Sequence, residues 1–274
     1  MERPARGGAA QPLTQRSPAY EGWAQAWAEG PSRLYDRLAT RVVEPFAEQL
    51  RGRTVLDAGS GTGAVCRALQ HRGARAVALD ESADMLAQVD GAAWLAVVGD
   101  LAALPFLSQS FDAAVSAFAI SHLQVPARAL AEMGRVVRPP GRIVAAVFGR
   151  APANAAKDVI HQVAAEHGYQ PPGWYLRLKT ETEPLCDTPE LLAACARAGG
   201  LAEVAVADIV VDAGIDSPEE IVASRTGMAH LAPFVSSLGP SRRRQFLGEA
   251  LAAVRSSGEP LRPRVLIMSG RARA

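Results

Sequence analysis

The chain is short of several things, and each shortage removes a class of protein. It has only three cysteines, Cys66, Cys186 and Cys195. Their spacing suits neither a zinc site nor an even disulfide framework, so reduced thiols of a cytoplasmic protein are expected. Lysine is almost missing: Lys157 and Lys179 are the two that occur, and arginine carries the rest of the positive charge. A formal net charge of +1 gives no global attraction to nucleic acid or to an anionic membrane. The one basic cluster, Arg242-Arg243-Arg244, reads as a solvated helix face. No apolar run approaches the ~20 residues that span a bilayer. The N-terminal stretch lacks the apolar region of a secretory signal, and residues 1–17, rich in Arg, Pro, Gly and Ala, read as a disordered tail. Acids and histidines do not cluster as metal ligands do, so no metal is expected.

Apolar residues are plentiful at 49%, enough for a sizeable core. Residues 18–50 read as helices interrupted at Pro31-Ser32 and Pro45. Strand and helix patterns then alternate through 51–150, with strands at 53–58, 74–80, 93–98, 111–117 and 142–148. Helices are expected at 64–71, from Ser82 as cap through Met85 to Val89, and at 126–137; Pro139-Pro140-Gly141 reads as a turn. Alternation of this kind implies parallel pairing and right-handed crossovers. Residues 151–274 complete the fold with helices at 157–167 and 188–198 and late strands at 201–211 and 264–270. Between those strands lies a helical insert, about 213–260, too long for a hairpin connection. It is expected to cover the site as a lid. The fold class is thus α/β, a Rossmann-like, doubly wound, mostly parallel seven-stranded sheet with an antiparallel last strand.

The segment Val55-Leu56-Asp57-Ala58-Gly59-Ser60-Gly61-Thr62-Gly63 is a strand, a tight turn and a helix start. Glycine serves where backbone must bend sharply or approach a ligand, and N–H groups at a helix start face whatever sits above the turn. Gly59-x-Gly61-x-x-Ala64 also passes for a dinucleotide fingerprint, with Asp80 at a suitable distance for a ribose. A nicotinamide-dependent oxidoreductase is therefore the competing class. Asp57 argues against it, because a pyrophosphate at the turn would meet its negative charge, whereas an ammonium or sulfonium group would be attracted. Asp100, after Gly99, stands where it can accept from an exocyclic amine.

Taken in order, these motifs resemble a class I S-adenosylmethionine-dependent methyltransferase, of the small-molecule type found in ubiquinone and menaquinone biosynthesis. The resemblance covers about residues 50–148. It rests on Val55 to Gly63, Leu79-Asp80-Glu81-Ser82-Ala83-Asp84-Met85-Leu86, Gly99-Asp100 with Leu104-Pro105-Phe106, Phe111 to Leu123, and Glu132 to Arg142. Tyr20-Glu21-Gly22-Trp23-Ala24 resembles the N-terminal helix of small-molecule members.

The resemblance implies S-adenosylmethionine as cofactor and assigns roles. Gly59, Ser60 and Gly61 would let backbone approach the methionine part, and Asp57 would hold its amino group, directly or through water. Asp80, with Glu81 beside it, would accept from the ribose hydroxyls. Met85 would pack on the adenine, Asp100 and Leu101 would fix its edge, and backbone near Ser116 would complete the cover. Tyr20 and Trp23 would close on the methionine end.

Methyl transfer from a sulfonium is an in-line displacement that needs positioning and exclusion of water, and a hydroxyl acceptor must also lose a proton. His122, after the fourth strand, and His230, in the insert, are the candidate catalytic residues. Trp174 and Tyr175 are candidates for an aromatic substrate wall. Met228, Leu231, Phe234, Val235, Leu238 and Phe246 make the insert apolar, which suggests a hydrophobic small-molecule acceptor such as a secondary metabolite, methylated on oxygen. Methylation of nitrogen or carbon, or a non-methylating cyclase on the same scaffold, is the alternative. No nucleic-acid partner and no membrane insertion are expected of this monomer or homodimer.

Overall fold

A computed structural model describes residues 20–89, 95–150 and 155–273. The expected tail at 1–17 and the expected start of the third strand at Ala93 lie outside the described residues. Two helices, α1 (Ala24–Glu29) and α2 (Ser32–Val43), precede the sheet, and Pro45 falls in the tighter turn Glu44–Gln49 that ends α2. Then come β1 (Thr54–Ala58), α3 (Ala64–His71), β2 (Arg75–Asp80), α4 (Ala83–Leu86), β3 (Leu95–Val98), β4 (Phe111–Ala117), α5 (Pro126–Val136) and β5 (Val137–Phe148). After these follow α6 (Ala155–Glu166), α7 (Gly173–Arg177), α8 (Pro189–Ala198), β6 (Ala202–Val210), α9 (Pro218–Thr226), α10 (Ala232–Ser237), α11 (Pro240–Ser257) and β7 (Arg264–Arg271).

The sheet has seven strands in the order β3-β2-β1-β4-β5-β7-β6. β1 to β5 pair in parallel, and β7 runs antiparallel to both β5 and β6. The expected mostly parallel sheet with an antiparallel last strand is what forms. The chain winds outward from β1 to β3 and then returns to β4, so the order reverses between β1 and β4. A crevice opens at such a switch point, above the C-terminal ends of the strands.

Alternation along each strand feeds two cores. On one face Val55, Val115 and Val144 pack with α2, α3, α6 and α11; on the other Leu56, Ala114 and Ile143 pack with α5 and α8. Pro139-Pro140-Gly141 is not a separate turn but a bulge inside β5: Phe111 pairs with Val137 and Ala113 with Arg142. Gly141 is needed there, because a Cβ would lie 2.6 Å from the Asp112 carbonyl oxygen. The helix after β2 stops at Leu86 rather than Val89, since the chain must soon re-enter the sheet at β3.

The helical insert forms as expected from α9, α10 and α11. It is joined to the N-terminal helices by backbone contact: a Cβ on Gly30 would lie 2.4 Å from the Ala223 carbonyl oxygen, and one on Gly227 would lie 2.5 Å from that of Ala26. Leu231, Val235, Leu238 and Phe246 are buried in the core shared with α6. Most of the residues expected to mark a hydrophobic acceptor are therefore packing residues of the insert.

Candidate active site

The glycine turn lies at the crevice, and its three glycines all take positive φ: Gly59 +78°, Gly61 +52° and Gly63 +84°. Gly59 and Ser60 donate their N–H groups to the Leu79 carbonyl at 2.8 and 2.9 Å, which ties the turn to β2. The first two of these positions differ in surroundings. A Cβ on Gly59 would meet the Ala119 Cβ at 2.3 Å, whereas one on Gly61 would find nothing within 4 Å. Backbone at Gly61 thus borders open space. Asp80, at the end of β2, faces that space; its Oδ2 accepts from the Gly61 N–H at 2.8 Å and its Oδ1 from the Ser82 N–H at 2.9 Å. Burial raises its pKa, while hydrogen bonds from Ser82 and Gly61 oppose the shift.

Asp57 is fully buried behind the turn. Its Oδ2 accepts from the Cys66 N–H at 3.1 Å and from the Cys66 thiol at 3.2 Å, and its Oδ1 has no partner. Burial pushes its pKa up to about 7, against the pull of both Cys66 hydrogen bonds. A buried acid with one unmet oxygen next to a glycine cradle suits a cation. These features fit the methionine and ribose ends of S-adenosylmethionine.

The far side of the crevice is built by caps and pins. Ser82 caps α4, its Oγ accepting from the Met85 N–H at 3.3 Å, which sets Met85 as a buried side chain. Asp100 folds onto its own turn, Oδ1 accepting from the Ala102 N–H at 2.7 Å. Leu101 is buried and would lie 3.8 Å from a Cβ on Gly59. The following loop is held by α5: Arg135 donates to the Phe106 and Leu104 carbonyls at 2.9 and 3.0 Å, and Glu132 accepts from the Leu104 N–H at 2.8 Å. Glu81 is exposed. Ser116 is fully buried on the face it shares with Ala114, so its side chain is turned into that core and only its backbone is free for a role at the crevice.

The N-terminal segment reaches over the end of β2, where the Gly22 N–H donates to Asp84 Oδ2 at 2.8 Å. This sets Tyr20 against His122 and Trp174, with ring centroids 5.9 and 6.1 Å apart. The His122 side chain is exposed, with its ring beside that of Tyr20. Desolvation by the surrounding protein, and then Lys179, hold its pKa down to about 4, so it is neutral at pH 7. Trp23 and His230 belong to a different hollow, a cavity of about 330 Å³ also lined by Tyr169, Trp174 and Phe234. His230 is buried and stacked on Tyr175, centroids 3.9 Å apart. The two candidate histidines do not touch; Tyr175, Trp174 and Tyr20 link them ring to ring.

Several residues at this site were not singled out by sequence reasoning. Tyr35, Phe118 and Phe148 form an aromatic cluster beside the crevice, with Phe118 and Phe148 stacked at 4.5 Å. Phe118 has φ +62°, a conformation that costs a bulky residue about 1–3 kcal/mol; no local signal announces it. His161 lies against His230, and Arg225 lies against His161, brought there from separate helices. Tyr175 and Lys179 also stand at a Tyr-x-x-x-Lys spacing, a pairing of dehydrogenase type. Here Tyr175 stacks on His230 and Lys179 pairs with Glu183 at 2.6 Å, away from the glycine turn.

Burial lowers the pKa of His161 to about 4 and of His230 to about 2. The unfolded chain takes up protons on these rings below about pH 6.5 while the folded chain does not, so stability falls as pH drops from 6.5 towards 4. Asp57, raised to about 7, and Asp80, also raised by burial, work the other way, but they are two groups against three histidines, His122 included. The melting temperature is expected to fall between pH 7 and pH 4.5, and to fall less in His230→Asn. A melting temperature that rises on acidification would contradict these buried, neutral rings.

Among the described residues no group of three or more potential ligands could hold a metal, and no helix is long and apolar enough to cross a membrane.

The sheet order and its flanking helices define a Rossmann-like α/β domain. Residues 56–145 match the family model described as a methyltransferase domain. The chain is 34% identical over 139 residues to a demethylmenaquinone methyltransferase of Renibacterium salmoninarum, covering 48% of this chain and 55% of that one. It is 32% identical over 131 residues to a malonyl-[acyl-carrier protein] O-methyltransferase of Erwinia billingiae, covering 47% and 49%. The chain thus spans about half the length of the curated relatives it matches. Among solved structures, a methyltransferase ascribed to an antibiotic biosynthesis pathway of Anabaena variabilis shares the fold. Its TM-score is 0.61 at 19% identity, with 87% of this chain and 99% of that one covered.

Proposed function

We propose that the protein is an S-adenosylmethionine-dependent methyltransferase of a small hydrophobic acceptor of secondary metabolism, with oxygen as the methylated atom. The observation that carries the cofactor reading is the turn itself: open space at Gly61, Asp80 across it, and the unmet oxygen of Asp57 behind it. When bound, the cofactor supplies a methyl group on a positively charged sulfur. Asp80 keeps lone pairs for the ribose hydroxyls, with Glu81 beside it. Asp57 meets the amino group, a contact that favours its charged form. Gly59, Ser60 and Gly61 lend backbone, Met85 packs on the adenine, Asp100 and Leu101 hold its edge, and backbone at Ser116 closes the cover. Tyr20 and Trp23, with the helices of 18–50 and the insert of 213–260, act as a lid that excludes water. The protein works in the cytoplasm, as a monomer or homodimer, without nucleic acid or membrane.

His122 supports the choice of oxygen. It is neutral, lies beside the Tyr20 ring, and accepts the proton of an acceptor hydroxyl. His230 serves the acceptor from the neighbouring cavity. A second reading, methylation at carbon, is favoured by the relatives named for demethylmenaquinone and by the weak basicity of a ring with pKa about 4. His122→Ala separates the two. If oxygen is methylated, kcat at pH 7 falls about 100-fold, and the loss shrinks at higher pH as the hydroxyl ionises unaided. A change under about threefold removes the need for a base and turns the assignment to carbon. Transfer of a deuterated methyl group, with its position read by NMR, checks the atom directly.

A further inference from the structure

Beside the cavity lies a set of polar groups that the cofactor reading does not use. Arg225, on α9, is 8% exposed and makes no ion pair among the described residues; its Nε has no hydrogen-bond partner. Its Nη2 lies 3.3 Å from His161 Nε2, and His230 Nε2 lies 3.3 Å from the same atom. Arginine only donates, so His161 Nε2 is the acceptor and its ring proton sits on Nδ1. The His230 Nε2 contact then requires a proton on His230. Two donors therefore compete for one lone pair. The buried Tyr169 hydroxyl also has no partner, and Tyr169 and His230 both line the 330 Å³ cavity.

The charges that bear on the two rings are positive, while Asp158 and Glu183 offset Lys157. Lys157 and Lys179 lie close enough to Arg225, His161 and His230 to hold down protonation of the two rings. Glu183 is committed to Lys179 at 2.6 and 2.7 Å. A buried arginine without a carboxylate partner, in a cluster with more donors than acceptors, is costly to keep. The missing component is an acceptor-only, negatively charged group, and the planar guanidinium matches a carboxylate or a phosphate. The rest of the cavity wall is Trp23, Trp174, Phe234, Ala229, Pro172 and Pro233, with Gln170 as its other polar residue, which suits a mainly apolar or aromatic body. From here the chain of rings Tyr175, Trp174 and Tyr20 leads to His122.

We infer that Arg225, with His161, His230 and Tyr169, seats a carboxylate on the methyl acceptor, so that the acceptor is an apolar or aromatic acid rather than a neutral hydrophobe. The inference rests on the methyltransferase reading for the word acceptor, but the anion site itself does not depend on it. Calorimetric titration of the full chain with 1-naphthoate, naphthalene-1-carboxamide and 1-naphthyl phosphate reads the site, and a separate titration with S-adenosylhomocysteine reads the cofactor proposal alone. The expected result is naphthoate binding at least tenfold tighter than the carboxamide, with the preference lost in Arg225→Gln while S-adenosylhomocysteine affinity is unchanged. Tighter binding of the phosphate than of the carboxylate would keep the anion site and overturn the carboxylate assignment. Equal affinity for acid and amide, no binding of either anion, or a preference that survives Arg225→Gln would overturn the whole proposal. A second variant needs no probe: Arg225→Met in the free protein removes an unpaired buried charge and is expected to raise the melting temperature by about 2–4 °C. A fall of that size would make Arg225 a structural residue and sink the idea.

Discussion

Asp80→Ala is expected to weaken S-adenosylhomocysteine binding at least 100-fold while leaving the far-ultraviolet circular dichroism spectrum unchanged. Two effects add. Hydrogen bonds to a charged group contribute about 1.5–3 kcal/mol each, and Asp80 faces the space where two ribose hydroxyls would lie. About 1.4 kcal/mol is tenfold in affinity, so losing both reaches 100-fold at the low end. The same carboxylate also accepts from the Gly61 and Ser82 N–H groups, so its removal loosens the turn against which the ligand packs. Parallel titrations with S-adenosylmethionine and NADH extend the test. Micromolar binding of the adenosyl ligands, lost in Asp80→Ala, fits the cofactor assignment; NADH binding alone would replace the methyltransferase reading with the oxidoreductase one.

Gly59→Ala and Gly61→Ala should part company, although both residues have positive φ. At Gly59 the new methyl would sit 2.3 Å from the Ala119 Cβ, which forces the β4–α5 connection away from the turn. Overpacking of this kind, added to the left-handed backbone, costs about 2–4 kcal/mol, or a drop of roughly 4–16 °C in melting temperature. At Gly61 the methyl meets nothing, and only the backbone term of about 1–2 kcal/mol remains. Yet Gly61→Ala places its methyl where the ligand would approach, so cofactor affinity is expected to fall at least 30-fold in a protein that is nearly as stable as the parent. Thermal melts and calorimetry on both variants decide the matter. A Gly61→Ala protein that binds S-adenosylhomocysteine normally would mean that the open space above the turn is not the ligand's.

These two glycines also mark the limit of sequence reasoning. The motif Asp57 to Gly63 announces a strand, a turn and a helix start, and the alternation of patterns around it announces a parallel sheet with its crevice above β1 and β4. Both are local properties: the period of apolar residues and the steric freedom of glycine. The motifs at Asp80, Asp100 and Glu132 to Arg135 could be placed in order for the same reason. That Arg135 and Glu132 pin the Leu104–Phe106 loop, joining two motifs, is visible only in the fold.

The acceptor side was much less legible. Apolar residues of the insert look alike in sequence whether they face a substrate or a neighbouring helix. Packing on α6 decided that Leu231, Val235, Leu238 and Phe246 are core, leaving Phe234 at the cavity. His161 on α6, Tyr175 on α7, Arg225 on α9 and His230 after α9 carry no shared spacing. Contacts between distant segments bring them together, and burial then decides their charge: a histidine titrates near pH 6.5 in any unfolded chain, but His230 is held down to about 2 by its surroundings. The sequence by itself determined the α/β order, the glycine turn and the acids at the strand ends, because each depends on residues adjacent in the chain. Tertiary structure alone decided which aromatic rings wall the cavity and which arginine stands beside it without an acid partner, because those depend on desolvation and on neighbours tens of residues away.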